Sequence, residues 1–339
     1  MKNLPPAYFA LTMATGIISI GAWNFHFFWL AISLFVFNLA AYVALSAMTV
    51  ARAVRYPSLV FADMTDHRIG PGFFTTVAGS AIVGTQFFHF MRETGVAMAF
   101  LGLGALLWIG LTYTIFTAFT VKREKPSLEK GITGGWLIAV VATQSIAVLT
   151  SLVSRDTPQP YRVELNFVAL SMWLWGGMFY SWIISLIFYR YTFFPFSPGD
   201  LAPPYWINMG AMAISTLAGA QLIQNTPDAP FLLSLLPFLK GFTVFYWATA
   251  TWWIPMLFVL GVWRHLYRKF PFQYDPLYWG AVFPLGMYSA ATAQMSIALD
   301  LPFLMPISWI MFLVALVVWI IVFVGLLSQL LSDFRVRWA

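Results

Sequence analysis

Pro203-Pro204-Tyr205-Trp206-Ile207-Asn208-Met209-Gly210-Ala211 is the stretch whose reading decides the fold, because the pattern it opens occurs five times. A Pro- or Gly-marked start carrying an aromatic residue leads into a Gly/Thr/Ser-rich apolar segment, and a bulkier apolar segment follows. The other starts are Pro5-Pro6-Ala7-Tyr8-Phe9, Gly70-Pro71-Gly72-Phe73-Phe74, Gly134-Gly135-Trp136 and Asp275-Pro276-Leu277-Tyr278-Trp279. Their last aromatics, Phe9, Phe74, Trp136, Trp206 and Trp279, recur at a near-constant interval. Such a period marks a repeated structural unit. Five units embedded in a membrane suggest a ring, and a ring suggests a central hole.

The membrane follows from composition. Of 339 residues, 60% are hydrophobic and 9% charged, against about 25% charged in an ordinary soluble domain. Ten stretches without Asp, Glu, Lys or Arg run over 5–25, 27–51, 71–88, 95–121, 131–154, 165–189, 203–227, 241–263, 276–299 and 304–330. A bilayer span needs about 20 apolar residues, and backbone groups in hydrocarbon need internal partners, so helices are predicted throughout. The runs lack the alternation of a membrane strand. The chain reads as a single all-α transmembrane domain over 1–339. Cysteine is absent, which excludes disulfides, thiolate metal sites and a Cys nucleophile. Only Lys2 precedes the first helix, so no cleavable signal is expected.

Ten spans would put both termini on one side together with 14 basic residues: Lys2, Arg52, Arg55, Arg68, Lys122, Arg123, Lys125, Lys130, Arg190, Arg264, Arg268, Lys269, Arg335 and Arg337. Arg92, Arg155, Arg162 and Lys240 would lie opposite. That asymmetry predicts cytoplasmic termini and accounts for the basic balance without nucleic acid.

Odd helices are predicted inside and bulky even helices outside, facing lipid. Small residues suit either tight helix packing or a lumen wall. Helical spacing nominates Thr12, Gly16 and Ser19, then Thr76, Ser80 and Val83, then Asn208, Ala211 and Ser215 as shared faces. The face that points inward is left open by the spacing. Thr143 and Met287 complete the candidate lining.

No ionisable residue sits mid-membrane in an odd helix, where coupled carriers usually place one. His26, His67, His89 and His265 fall near predicted helix ends without metal spacing. HExxH, GxSxG and phosphate-loop motifs are missing, so no enzyme, catalytic residue, metal or cofactor is expected. A neutral wall with basic cytoplasmic rims suits weakly held anions.

The ninth helix carries Trp279-Gly280-Ala281-Val282-Phe283-Pro284-Leu285-Gly286-Met287. Pro284 cannot donate to the Gly280 carbonyl, so a bend is predicted there, softened by Gly280 and Gly286. The bend would push the Phe283 ring into a narrow lumen. Its counterparts by offset are smaller or more flexible: Met13, Ala78, Val140 and Ala211. Alternatively, Phe283 is simply one of 33 Phe in an apolar chain.

On Pro6-Ala7-Tyr8-Phe9, Met13-Ala14-Thr15-Gly16-Ile17, Gly135-Trp136-Leu137, Val141-Ala142, Pro203 through Ala211, and Tyr278-Trp279 with Phe283-Pro284-Leu285-Gly286, the chain resembles the tellurite-resistance/C4-dicarboxylate transporter family. That family also holds fungal malate and sulfite carriers and plant slow-type guard-cell anion channels. The resemblance implies five hairpins with quasi-fivefold symmetry around a central pore, a homotrimer, and flux of monovalent or dicarboxylate anions. It also implies a pore-blocking Phe, which falls on Phe283. The long phosphorylated tails of the guard-cell members have no counterpart, so kinase gating is not implied. The leading expectation is a passive anion channel of a bacterial inner membrane. The alternative is a secondary carrier for malate-like C4-dicarboxylates or sulfite.

Overall fold

The computed structural model describes residues 2, 4–271 and 274–338, with side chains described as far as Ser332. Arg335 and Arg337, counted above toward the side of the termini, fall outside the residues whose side chains are described. The described residues form helices and turns without a strand. In chain order the long helices are α1 (Ala10–Asn24), α2 (Phe28–Arg55), α3 (Phe74–Gln86), α4 (Thr94–Val121), α5 (Ile138–Ser154), α6 (Tyr161–Phe193), α7 (Ile207–Gln224), α8 (Leu236–Val262), α9 (Trp279–Leu299) and α10 (Met305–Trp338).

Every odd-numbered helix begins in a 3-10 turn on one of the repeated starts: Pro6–Phe9, Gly70–Phe73, Gly134–Leu137, Pro203–Trp206 and Pro276–Tyr278. Four of them carry Pro in their first two positions, where the missing N–H is no loss and the fixed φ suits a helix start. The Gly134 start uses a cap instead: the Thr133 hydroxyl accepts from the Gly135 N–H.

Among the described residues, eight segments are long and apolar enough to cross a membrane, so this is a multi-pass membrane protein. The segments containing α3 and α9 do not meet that measure. α3 has 13 residues between a 3-10 turn and a π turn, and α9 is diluted by Gly, Ser, Thr and Gln. Helix ends also overrun the predicted spans. α2 continues through Arg52, which is buried and paired with Asp63, to exposed Arg55, and α8 starts before exposed Lys240.

Odd and even helices pack differently. Segments Gly134–Ser154 and Pro203–Gln224 are 100% and 94% buried over their most apolar window, whereas the even-helix segments are 22–39% buried. α1 packs on α3, α3 on α5, α5 on α7, α7 on α9, and α9 back on α1. The five 3-10 starts touch one another in the same closed order. Each even helix then bonds to the inner helix that follows it. Tyr42 shares a 2.8 Å hydrogen bond with Ser80, and Trp108 Nε1 donates to Thr143 Oγ1 at 2.8 Å. Trp173 Nε1 donates to the Ser215 carbonyl at 2.8 Å, and Trp247 Nε1 to Thr292 Oγ1 at 3.0 Å. Trp319 Nε1 closes the cycle on Thr15 Oγ1 at 3.1 Å.

A buried amide pair joins α2 to α3: Asn38 Nδ2 donates to Gln86 Oε1 at 2.7 Å, with both residues inaccessible. Asn38→Leu strands the Gln86 amide and is expected to destabilise by about 1–3 kcal/mol. The Asn38→Leu/Gln86→Leu double variant is expected to lose less than the sum of the singles. A double-mutant cycle of unfolding in detergent reads the difference, and strict additivity would refute the pairing.

Candidate functional site: two axial cavities

Two cavities lie where all five odd helices meet. The larger, about 300 Å3, sits inside the collar of 3-10 starts. Helix residues Ala10, Thr75, Ile138, Ile207 and Gly280 line it, with Met13, Val141 and Phe283 one turn deeper. The smaller, about 60 Å3, sits toward the opposite helix ends. Its lining repeats one spacing in every unit, on the odd helix or, for His89, on the π turn that continues α3: Ile17, Ile20 and Asn24; Ile82, Thr85 and His89; Ser145, Val148 and Leu152; Ile214, Leu217 and Gln221; Met287, Ala290 and Gln294. Positions three and seven residues after the first share a helical face.

Met13, Val141 and Phe283 line the collar cavity, and Ile17, Ser145 and Met287, four residues further along, line the far one. Four residues of helix rise about 6 Å, so the two cavities are separated by roughly one helical turn of side chains. The same register places Ala78 and Gly210 in this layer, and neither lines a cavity. Phe283 is 1% exposed. α9 runs on through Pro284, which packs on α7: a Cβ on Gly210 would lie 2.7 Å from Pro284 Cγ. Gly286 is also a close-packing position, since an added Cβ would lie 2.9 Å from Ile17 Cγ2. Gly280 meets only ordinary contacts and lines the collar cavity.

Of the residues nominated by sequence, Met13, Gly280, Phe283 and Met287 line the cavities. Thr12, Gly16, Thr76, Ala78, Ser80, Val140, Thr143, Ala211, Ser215, Pro284 and Gly286 do not. The hydroxyl faces turn toward neighbouring helices instead. Thr12 Oγ1 would meet a Cβ on Gly79 at 2.6 Å, and Gly16 faces Ile82 and Asn38. Thr76 bonds back to the Phe73 carbonyl, Ser19 donates to the Ala31 carbonyl, the Ser80 and Thr143 hydroxyls carry interhelical bonds described above, and the Ser215 hydroxyl donates back to the Ala211 carbonyl. A buried hydroxyl in an apolar medium is held by a partner, and the partners are on the even helices and the preceding turn. Small residues here serve close approach. Register also moves two counterparts of Phe283 by one residue, to Val141 and Gly210.

Spacing did not bring out the polar layer of the far cavity, with Asn24, His89, Gln221, Gln294 and Arg155. Superposing the five repeats would have exposed it, because four of the five residues in the Asn24 register are polar. Arg155 caps the C-terminal end of α5. Its Nε donates to Asn225 Oδ1 at 2.9 Å and its Nη2 to Gln224 Oε1 at 3.0 Å. Burial pushes its pKa below the usual arginine value, with neighbouring Asp156 opposing, and a guanidinium stays charged despite this. In the collar cavity the charged lining residue is Arg68, exposed at the mouth. No cluster of potential metal ligands occurs among the described residues.

Inner helices joined in a cycle, with two cavities lined by all five of them under a sheath of exposed apolar helices, form an arrangement suited to membrane transport. The chain belongs to the voltage-dependent anion channel family, SLAC1, whose model matches residues 3–327. It is therefore an anion channel or transporter of that family. It is 39% identical over 146 residues to an uncharacterized membrane protein of Mycobacterium tuberculosis, covering 43% of this chain and 74% of that one. An uncharacterized transporter of Methanocaldococcus jannaschii is 26% identical over 300 residues, 86% of this chain and 83% of the relative. A sulfite efflux pump of Trichophyton rubrum is 23% identical over 344 residues, 95% of this chain and 90% of the pump. These names indicate a transporter or channel rather than an enzyme.

Proposed function

We propose that small anions cross along the axis joining the two cavities, and that Phe283 is the steric gate between them. The observation carrying this reading is that every odd helix contributes a lining residue to both cavities, while the layer between them contains the Phe283 ring. Of the four residues sharing its register, Ala78 and Gly210 are small, Val141 is short and Met13 is flexible, so the one aromatic ring, Phe283, is the bulkiest and stiffest group in the layer. An apolar constriction excludes ions because a dehydrated charge has no partners in it.

In this reading the chain crosses a bacterial inner membrane ten times as five hairpins with quasi-fivefold symmetry. α3 and α9, short or polar by span criteria, are sheltered from lipid by the even helices. Both termini are cytoplasmic. What supports this is the basic excess of that end, which includes Arg52, Lys122 and Arg190. The collar cavity then faces the cytoplasm, at the N-terminal ends of the odd helices, where anions are favoured. The assembly is a homotrimer.

The sulfite pump among the relatives favours a second reading, a carrier for sulfite or for malate-like C4-dicarboxylates. Proteoliposome flux with chloride, nitrate, sulfite, malate and succinate tests both. Dissipative, uncoupled flux of the monovalent ions is expected. Accumulation of malate or sulfite against its gradient, driven by pH, would replace the channel reading with the carrier.

A further inference from the structure

The far cavity presents a problem for an anion path that its side chains solve. It lies at the C-terminal ends of the five odd helices, and each such end carries roughly half a negative charge. Left alone, that field repels anions. Among the described residues, Arg155 is the only permanently charged one lining this cavity. Its two hydrogen-bond acceptors, Asn225 Oδ1 and Gln224 Oε1, are neutral amides. No carboxylate lies within ion-pair distance of it among the described residues. Nearby Asp156 accepts from Thr94 Oγ1 at 2.8 Å and Asp228 pairs with Arg162 at 3.1 Å, and neither lines the cavity. The guanidinium is thus held in place by neutral amides, and Asp156 acts on it only from beyond ion-pair distance.

We propose that Arg155 forms an anion-binding site in the far cavity that takes one monovalent inorganic anion, such as a halide, nitrate or hydrogensulfite. Occupancy by a single negative charge balances one guanidinium. A dianion would leave an excess charge facing the negative helix ends. The proposal extends the conduction reading above and gives the path its selectivity at the end opposite the collar.

The test uses the whole purified protein and two independent measurements. In detergent at constant ionic strength, replacing gluconate with chloride is expected to raise the unfolding midpoint of the wild type, because a ligand bound only to the folded state stabilises it. Arg155→Gln is expected to weaken that chloride dependence at least several-fold, and Arg155→Lys to retain most of it. In bilayers, Arg155→Gln placed in the Phe283→Ala background is expected to cut chloride conductance several-fold at low chloride and to move the reversal potential in a chloride gradient toward zero. A chloride-dependent midpoint and reversal potential identical in Arg155→Gln and its parent would overturn the site. If Phe283→Ala carries no current, the gate reading fails while the chloride-dependent midpoint alone decides the fate of Arg155.

Discussion

Phe283→Ala is expected to raise anion current at least tenfold over the wild type in a planar bilayer, with little cation current. The cavities stand about one helical turn apart, and the ring is 1% exposed in the layer between them. The residues sharing its register there are Met13, Ala78, Val141 and Gly210, none of which is aromatic. Tenfold corresponds to about 1.4 kcal/mol, small beside the penalty of moving a bare ion through an apolar plug. Phe283→Leu, which keeps an apolar branch of smaller reach, is expected to fall between. Large-to-small core changes usually destabilise by about 3–5 kcal/mol. This site already borders a cavity, so a smaller loss is expected, and the melting midpoint of each variant controls for it. A well-folded Phe283→Ala protein with wild-type current would refute the gate.

Gly134→Ala is expected to be the most damaging single methyl in the collar. An added Cβ would lie 2.6 Å from the Pro204 carbonyl oxygen and 2.7 Å from Tyr205 Cα. Both are backbone atoms of the neighbouring helix start, so no side chain can rotate away. Overpacking of this kind destabilises by about 1–3 kcal/mol. Gly102→Ala and Gly110→Ala on α4 are the matched controls, because nothing lies within 4 Å of either added methyl. Those two are expected to be neutral or slightly stabilising through helix propensity. The comparison is a set of thermal unfolding curves in one detergent. An unchanged midpoint for Gly134→Ala would mean that the starts do not depend on this contact.

The collar also explains why the repeat was visible in sequence. Pro and Gly at the starts answer local demands: a fixed φ, a dispensable N–H, and room for a neighbour's backbone. Local demands leave local signatures, so five starts could be read residue by residue. The contrast between odd and even helices was legible for a similar reason, since bulky apolar residues face the surroundings and small ones face other helices. Phe283-Pro284 stood out because proline inside a helix is locally costly.

The lining was less legible. Thr12, Gly16, Ser80 and Ser215 look like a polar wall by helical spacing, yet the hydroxyls among them bond to even helices or back to their own turn and the glycine packs on Ile82 and Asn38. Spacing groups residues onto one face but does not give that face a direction. A hydroxyl satisfied by a tryptophan from the preceding unit has the same spacing as one facing a lumen. Arg155 was hidden differently: it falls after the apolar run, where sequence alone reads it as a loop charge.

The sequence by itself determined a helical membrane protein with a fivefold beat, a sided charge distribution and a proline-marked phenylalanine, because each rests on composition or on the backbone demands of a few adjacent residues. Only the tertiary structure decided the rotation of each inner helix, and with it which residues meet on the axis. That rotation is set by contacts among three or more helices far apart in the chain, such as Trp319 on Thr15 and Pro284 on Gly210. No local pattern encodes such a sum of packing constraints.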